Sequence, residues 1–140
     1  LKMITDMERI ADQASDIAEI LTMPHEGERL PFPPHMQQMA TATAKMVRQA
    51  IDAYVARDHV LARKVMADDD IVDELFDKVK LDILEMLNQA CLVGSTVDGV
   101  QLLDMLMIAK YFERSADHAV NIAEWVEYAL TGRYKGERLS

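Results

Sequence analysis

The nine glycine and proline residues of this 140-residue chain fall at only three places, and that clustering constrains the fold more than any other feature of the sequence. Pro24, Gly27, Pro31, Pro33 and Pro34 form one group, Gly94 and Gly99 a second, and Gly132 with Gly136 the tail. Glycine costs about 1 kcal/mol inside a helix and proline about 3, so stretches free of both are where long helices can run. The first such segment is Leu1 to Met23, with Ile4, Met7, Ala11, Ala14, Ala18 and Leu21 recurring at helical spacing. The second runs from His35 to Arg57 through Met39, Thr43, Met46, Val47, Ala50 and Tyr54, and Pro34 suits its first turn. Asp58 reads as an N-cap that restarts the helix, which then extends to about Leu92 along Val65, Val72, Phe76, Val79, Ile83 and Leu87. Gly94 is a stop and Ser95 or Thr96 a new cap, and the fourth segment continues to Leu130 before Thr131-Gly132 ends it. At 1.5 Å per residue, each of the last two helices should be about 50 Å long. No stretch alternates like a strand, so the expected class is all-α, a bundle of long antiparallel helices with short joints.

Charge narrows the function. With 24 acidic against 15 basic side chains the chain carries a net charge of −9, which disfavours nucleic acid and anionic membranes and favours cations as partners. The single cysteine, Cys91, excludes an internal disulfide and a zinc-cysteine cluster and fits a reducing compartment. No apolar run reaches the roughly 18 to 20 residues of a membrane span, and the N-terminus lacks a signal pattern. The expectation is a cytoplasmic protein that is not embedded in a membrane. The ten methionines sit almost entirely at helical core spacings and read as flexible core filler.

The first segment repeats within the fourth. At an offset of 105 residues the two share E-R-x-A-D-x-A-x-x-I-A-E, which pairs Glu8 with Glu113, Asp12 with Asp117 and Glu19 with Glu124. Two such copies imply a duplicated helical module whose first copy is cut at Leu1. Glu8 and Asp12, like Glu113 and Asp117, stand at i and i+4 on one helix face, where like charges repel unless something compensates. Glu113 also lies in line with Leu102, Leu106, Ala109, Ala116 and Val120, so it should be paired, protonated or metal-bound.

A second acidic ladder, Asp69, Asp73 and Asp77, runs along the third segment. A hairpin centred near Ser95 sets residue i opposite 190 − i, so Asp73 faces Asp117, Asp77 faces Glu113 and Asp69 faces Asn121. None of those six is Lys or Arg. Hard oxygen ligands converging without an organic counter-charge suit a di- or trivalent cation. Glu113, Asp117, Asp73 and Asp69 are therefore read as a metal site with Asp77 and Asn121 in or beside it, against the plainer reading of solvated acidic faces. Arg9 and Arg114 point about 100° from the ladder, and His118 reads as a surface or core-edge histidine.

These residues resemble a known family. The string Glu113-Arg114-Ser115-Ala116-Asp117-His118 through Asn121-Ile122-Ala123-Glu124-Trp125, with Tyr128 and Thr131-Gly132, resembles the second signature helix of the PhoU family of phosphate-transport accessory regulators. Met7 to Glu19 is similar to that family's first signature helix, and Asp69 to Leu75 to its acidic fifth helix. The resemblance implies two three-helix units related by duplication. Residues 1–23 would be the last helix of the first unit, 24–34 a linker and 35–134 the second unit. It also implies metal ions, often iron or zinc with other divalent ions allowed, held by Glu8, Asp12, Asp69, Asp73, Glu113 and Asp117, with Asp16 as a further candidate. The partners it implies are a phosphate ABC transporter ATPase and a phosphate-sensing histidine kinase, through which phosphate-starvation genes are held off, and a homodimer is compatible with it. The first-unit site would lack its partner helices in this chain. At Ser115-Ala116 the family more often has an aliphatic residue followed by glycine.

Two alternatives stand beside that reading. One is a PhoU-like domain of a sodium-phosphate cotransporter or another phosphate permease. The other is a di-metal carboxylate oxidase, which normally needs Glu-x-x-His on two helices, and no glutamate here has a histidine three residues on. No nucleophile-base pair, glycine-rich phosphate loop or basic cradle is visible, so neither catalysis nor tight phosphate binding is expected.

Overall fold

Helices form where the glycine and proline groups permit them: α1 (Lys2–Thr22), α2 (Met36–Ala56), α3 (His59–Leu92) and α4 (Gly99–Thr131). The structure is a computed structural model and describes residues 2–24, 27–94 and 98–131, among which there is no strand. The α2–α3 joint is a single sharp turn. Arg57 takes the left-handed conformation (φ 53°), and Asp58 then accepts hydrogen bonds from the Val60 and Leu61 amides at 3.1 and 3.0 Å. Those amides have no partner within the helix, so the carboxylate satisfies what the backbone cannot. Asp58→Ala is expected to cost about 1 kcal/mol, measurable as a lower urea midpoint at unchanged slope.

The other ends differ in detail from the sequence expectation. Gly94, at φ 69°, stops α3 as expected. Ser95 and Thr96 lie outside the described residues, and the cap of α4 is Asp98, whose carboxylate accepts from the Val100 and Gln101 amides at 3.0 and 3.2 Å. Pro34 stands ahead of the helix, not in its first turn. His35 is the cap residue, and its own side chain makes no capping bond. Instead its amide and its Nδ1 both donate to Asp82 of α3, at 3.0 and 2.8 Å, so an acid from the neighbouring helix sits at the positive end of α2. The linker is tied down by Gln101, which accepts from the Leu30 amide at 2.8 Å and donates to the Glu28 carbonyl at 3.2 Å.

Helix α4 is the centre of the assembly. It packs against α1, α2 and α3, α2 also packs against α3, and α1 touches α4 alone among the described residues. Hairpin register follows the expected rule: Arg63 Nε and Nη2 donate to Glu127 Oε1 at 3.1 and 2.8 Å, and 127 is the residue that a turn centred near 95 sets opposite 63. The core comprises Met39, Met46, Ala50, Val65, Val72 and Val79 against Ala109, Ala116, Ala119, Ile122 and Ala123. Small residues on α4 let two helices approach it closely, and methionines fill the remaining gaps.

Expected stripes that run past the core end in solvent. Tyr54 of α2 and Leu87 of α3 are 48% and 43% exposed. The larger difference is in α1, where Ile4, Ala11, Ala14, Ala18 and Leu21 are exposed. The side it buries carries Met3, Asp6, Ile10, Gln13, Ile17 and Ile20. A helix with one neighbour covers one sector only, and that sector is rotated from the repeated alanines. In α4 the residues equivalent to Ile4, Ala11, Ala14, Ala18 and Leu21 are Ala109, Ala116, Ala119, Ala123 and Val126, all buried in a helix that packs against three others.

Candidate metal centre

The hairpin register brings one acid cluster together on the seam between α3 and α4. Asp69 and Asp73 come from α3, Glu113 and Asp117 from α4, and all three aspartates feel the charge of Glu113. Burial pushes the Asp69 carboxyl up to about 6, and Asp73, Asp117, Asp70 and Glu113 add repulsion in the same direction. Asp73 and Asp117 are also raised, first by burial and then by Glu113, with Lys110 opposing. Asp69 Oδ1 is buried without a hydrogen-bond partner. An anionic oxygen in that position is costly unless a proton or a cation reaches it.

The sign of the resulting pH dependence follows from the raised values. The folded chain holds protons on these carboxyls that the unfolded chain has already released near 3.8, so stability falls as pH climbs from about 4 through 6. Asp69→Asn should flatten that fall in metal-free protein and stabilise it at pH 7.5 by about 1 kcal/mol, a figure reduced for solvent screening of a partly open group. Urea unfolding at pH 5 and pH 7.5 measures both quantities.

Other expected members lie elsewhere. Asn121 does not face Asp69: its Nδ2 donates to Asp6 Oδ1 at 3.2 Å. Asp77 does not pair across to Glu113. It is exposed, lies within reach of Asp73 and forms an ion pair with Lys80 at 3.0 Å. Glu8 and Asp12 project from the open side of α1, which does not touch α3, and Asp12 meets Arg9 at 3.6 Å. Asp16 is half-buried on the same helix. His118 lies at the core edge, where its Nδ1 donates to Asp6 Oδ1 at 2.9 Å.

Sequence reasoning missed the counter-charge. Lys110, one turn before Glu113, forms an ion pair with its Oε1, so the acid cluster already contains an ammonium. The i, i+3 spacing was there to be read, as it was for Asp77 and Lys80. Among the described residues no three His, Cys, Asp or Glu side chains close around one point as they stand. The donor chemistry nevertheless fits a hard cation, because four carboxylates share one seam and one of their buried oxygens is unsatisfied.

A family profile described as PhoU domain matches residues 36–126, from the start of α2 to the last turns of α4. The chain is 30% identical over 133 residues to a phosphate-specific transport system accessory protein PhoU homolog of Clostridium acetobutylicum, covering 95% of this chain and 58% of that protein. It is 31% identical over 140 residues to PhoU homolog 1 of Thermotoga maritima, covering 99% and 58%. To the homolog of Zymomonas mobilis it is 32% identical over 139 residues, covering 99% and 56%. The chain thus spans somewhat more than half the length of these relatives. No helix among the described residues is long and apolar enough to cross a membrane. The all-α bundle, the acidic seam built from the repeated E-R-x-A-D string and the profile match over most of the chain agree: this chain belongs to the PhoU domain family.

Proposed function

We propose that the protein is a non-enzymatic regulator of phosphate uptake and phosphate-starvation signalling, working through protein contacts and carrying a cation on its α3–α4 seam. The observation that carries this reading is the convergence of Asp69, Asp73, Glu113 and Asp117 on one partly open surface of a PhoU domain. The relatives' description as accessory proteins of a phosphate-specific transport system supports the phosphate context. The family likeness supports a phosphate transporter ATPase and a phosphate-sensing histidine kinase as partners.

Asp69, Asp73, Glu113 and Asp117 would hold the cation, and iron or zinc are the first candidates. Bound there, a di- or trivalent ion would supply more positive charge than the single Lys110 ammonium gives the four carboxylates. The chain's own residues do the rest: α3 and α4 hold the carboxylates in register, and their repulsion keeps the seam receptive to positive charge. Lacking a basic cradle, the protein should not bind phosphate tightly itself.

Elemental analysis of full-length protein purified without chelator should find divalent or ferric ion, absent from an Asp73→Ala/Asp117→Ala variant. Metal content unchanged by that variant would return the ladders to solvated acidic faces. For the regulatory reading, cells lacking the gene should take up phosphate at starvation rates in phosphate-rich medium, and normal repression would overturn it.

A further inference from the structure

Two lysines share one aromatic ring beside the acid cluster. Lys80 Nζ lies 4.8 Å and Lys110 Nζ 5.4 Å from the Phe76 ring centroid. Lys80 is anchored to Asp77 at 3.0 Å, while Lys110 reaches the other way to Glu113. A ring face attracts one ammonium well, and a second near it is repelled by the first. Lys80 over Phe76 therefore biases Lys110 toward the carboxylates, where its charge also acts on Asp73 and Asp117.

We propose that Lys110 is a built-in counter-cation that competes with an external metal ion for the α3–α4 seam, so that metal enters only as the ammonium withdraws from Glu113. This rests on the reading of the seam as a cation site. Several observations fit one device. Glu113 Oε1 is occupied by an amine, Asp69 Oδ1 on the same seam is unsatisfied, and no three ligands among the described residues close on one point. A carboxylate site with a resident lysine is held together when metal is scarce and is tuned to bind weakly and reversibly, which suits a responsive site more than a permanent structural ion.

Zinc affinity of the full-length protein, measured against a chromophoric chelator, tests the competition. Lys110→Met should bind Zn²⁺ about fivefold tighter or more, the scale of one partly exposed ion pair, while Lys110→Arg, which keeps the charge, should bind no tighter than wild type. Lys78→Met, on the exposed outer face of α3, controls for net charge and should change affinity less than twofold. Without metal, Lys110→Met should melt lower than wild type, and Zn²⁺ should restore it. Equal affinity in wild type and Lys110→Met, or equal tightening by Lys78→Met, would overturn the competition and leave the cation site standing. No Zn²⁺ binding by any variant would overturn both.

Discussion

Ala116→Leu should destabilise the protein by roughly 2 to 3 kcal/mol, while the same change at Ala11, its counterpart in the repeat, should cost less than about 0.5 kcal/mol. Both alanines precede the aspartate of an identical E-R-x-A-D string. Ala116 is wholly buried in α4, which three helices pack against, and three added heavy atoms have nowhere to go without moving a helix. Ala11 faces solvent, because α4 is the one helix that α1 touches among the described residues. The prediction therefore separates what the sequence repeats from what the structure covers. Urea unfolding of the two variants measures it directly. Equal losses would mean that the α1 face is covered in solution, by a second copy or by chain beyond these residues, and a dependence of the Ala11→Leu loss on protein concentration would identify the second copy.

The same contrast explains what could be read in advance. Helix positions were legible because glycine and proline act locally: a stop at Gly94 and a cap at Asp58 need no knowledge of neighbours. The α3–α4 register was legible for a related reason, since a short turn between two long helices leaves little freedom, and the Arg63–Glu127 pair falls where that register sets it. Burial in α1 was not legible. Periodicity says which side of a helix is apolar, and which side is covered depends on how many helices pack against it. The acid cluster was legible as carboxylates at matching levels, yet Lys110 and Lys80 were not, because the hairpin register sets only cross-helix neighbours opposite one another. Their ion pairs run along the helices, with the ammonium reaching one turn forward to Glu113 or back to Asp77. A cation can therefore be supplied by the same helix as its acid, and counting only cross-helix partners overstates how bare such a site is. At the start of α4 the sequence offers three cap-forming side chains, Ser95, Thr96 and Asp98, and the one immediately before the helix makes the capping bonds.

Asp6→Ala should release α1 from the bundle, at a cost of about 2 to 3 kcal/mol, with the loss confined to that helix. Asp6 is only 5% exposed, and its Oδ1 accepts from both His118 Nδ1 and Asn121 Nδ2, so two polar groups of α4 depend on it. Removing the carboxylate leaves His118 and Asn121 facing a void, and α1 has no other helix to hold it among the described residues. Amide hydrogen exchange is the discriminating measurement: α1 should lose protection while the cores of α2, α3 and α4 keep theirs. Full protection of α1 in the variant would show that the apolar contacts of Met3, Ile10, Ile17 and Ile20 suffice without the polar anchor. Asp6 falls outside the repeated string, and the residue at the same offset in α4 is Tyr111, so this anchor belongs to α1 alone.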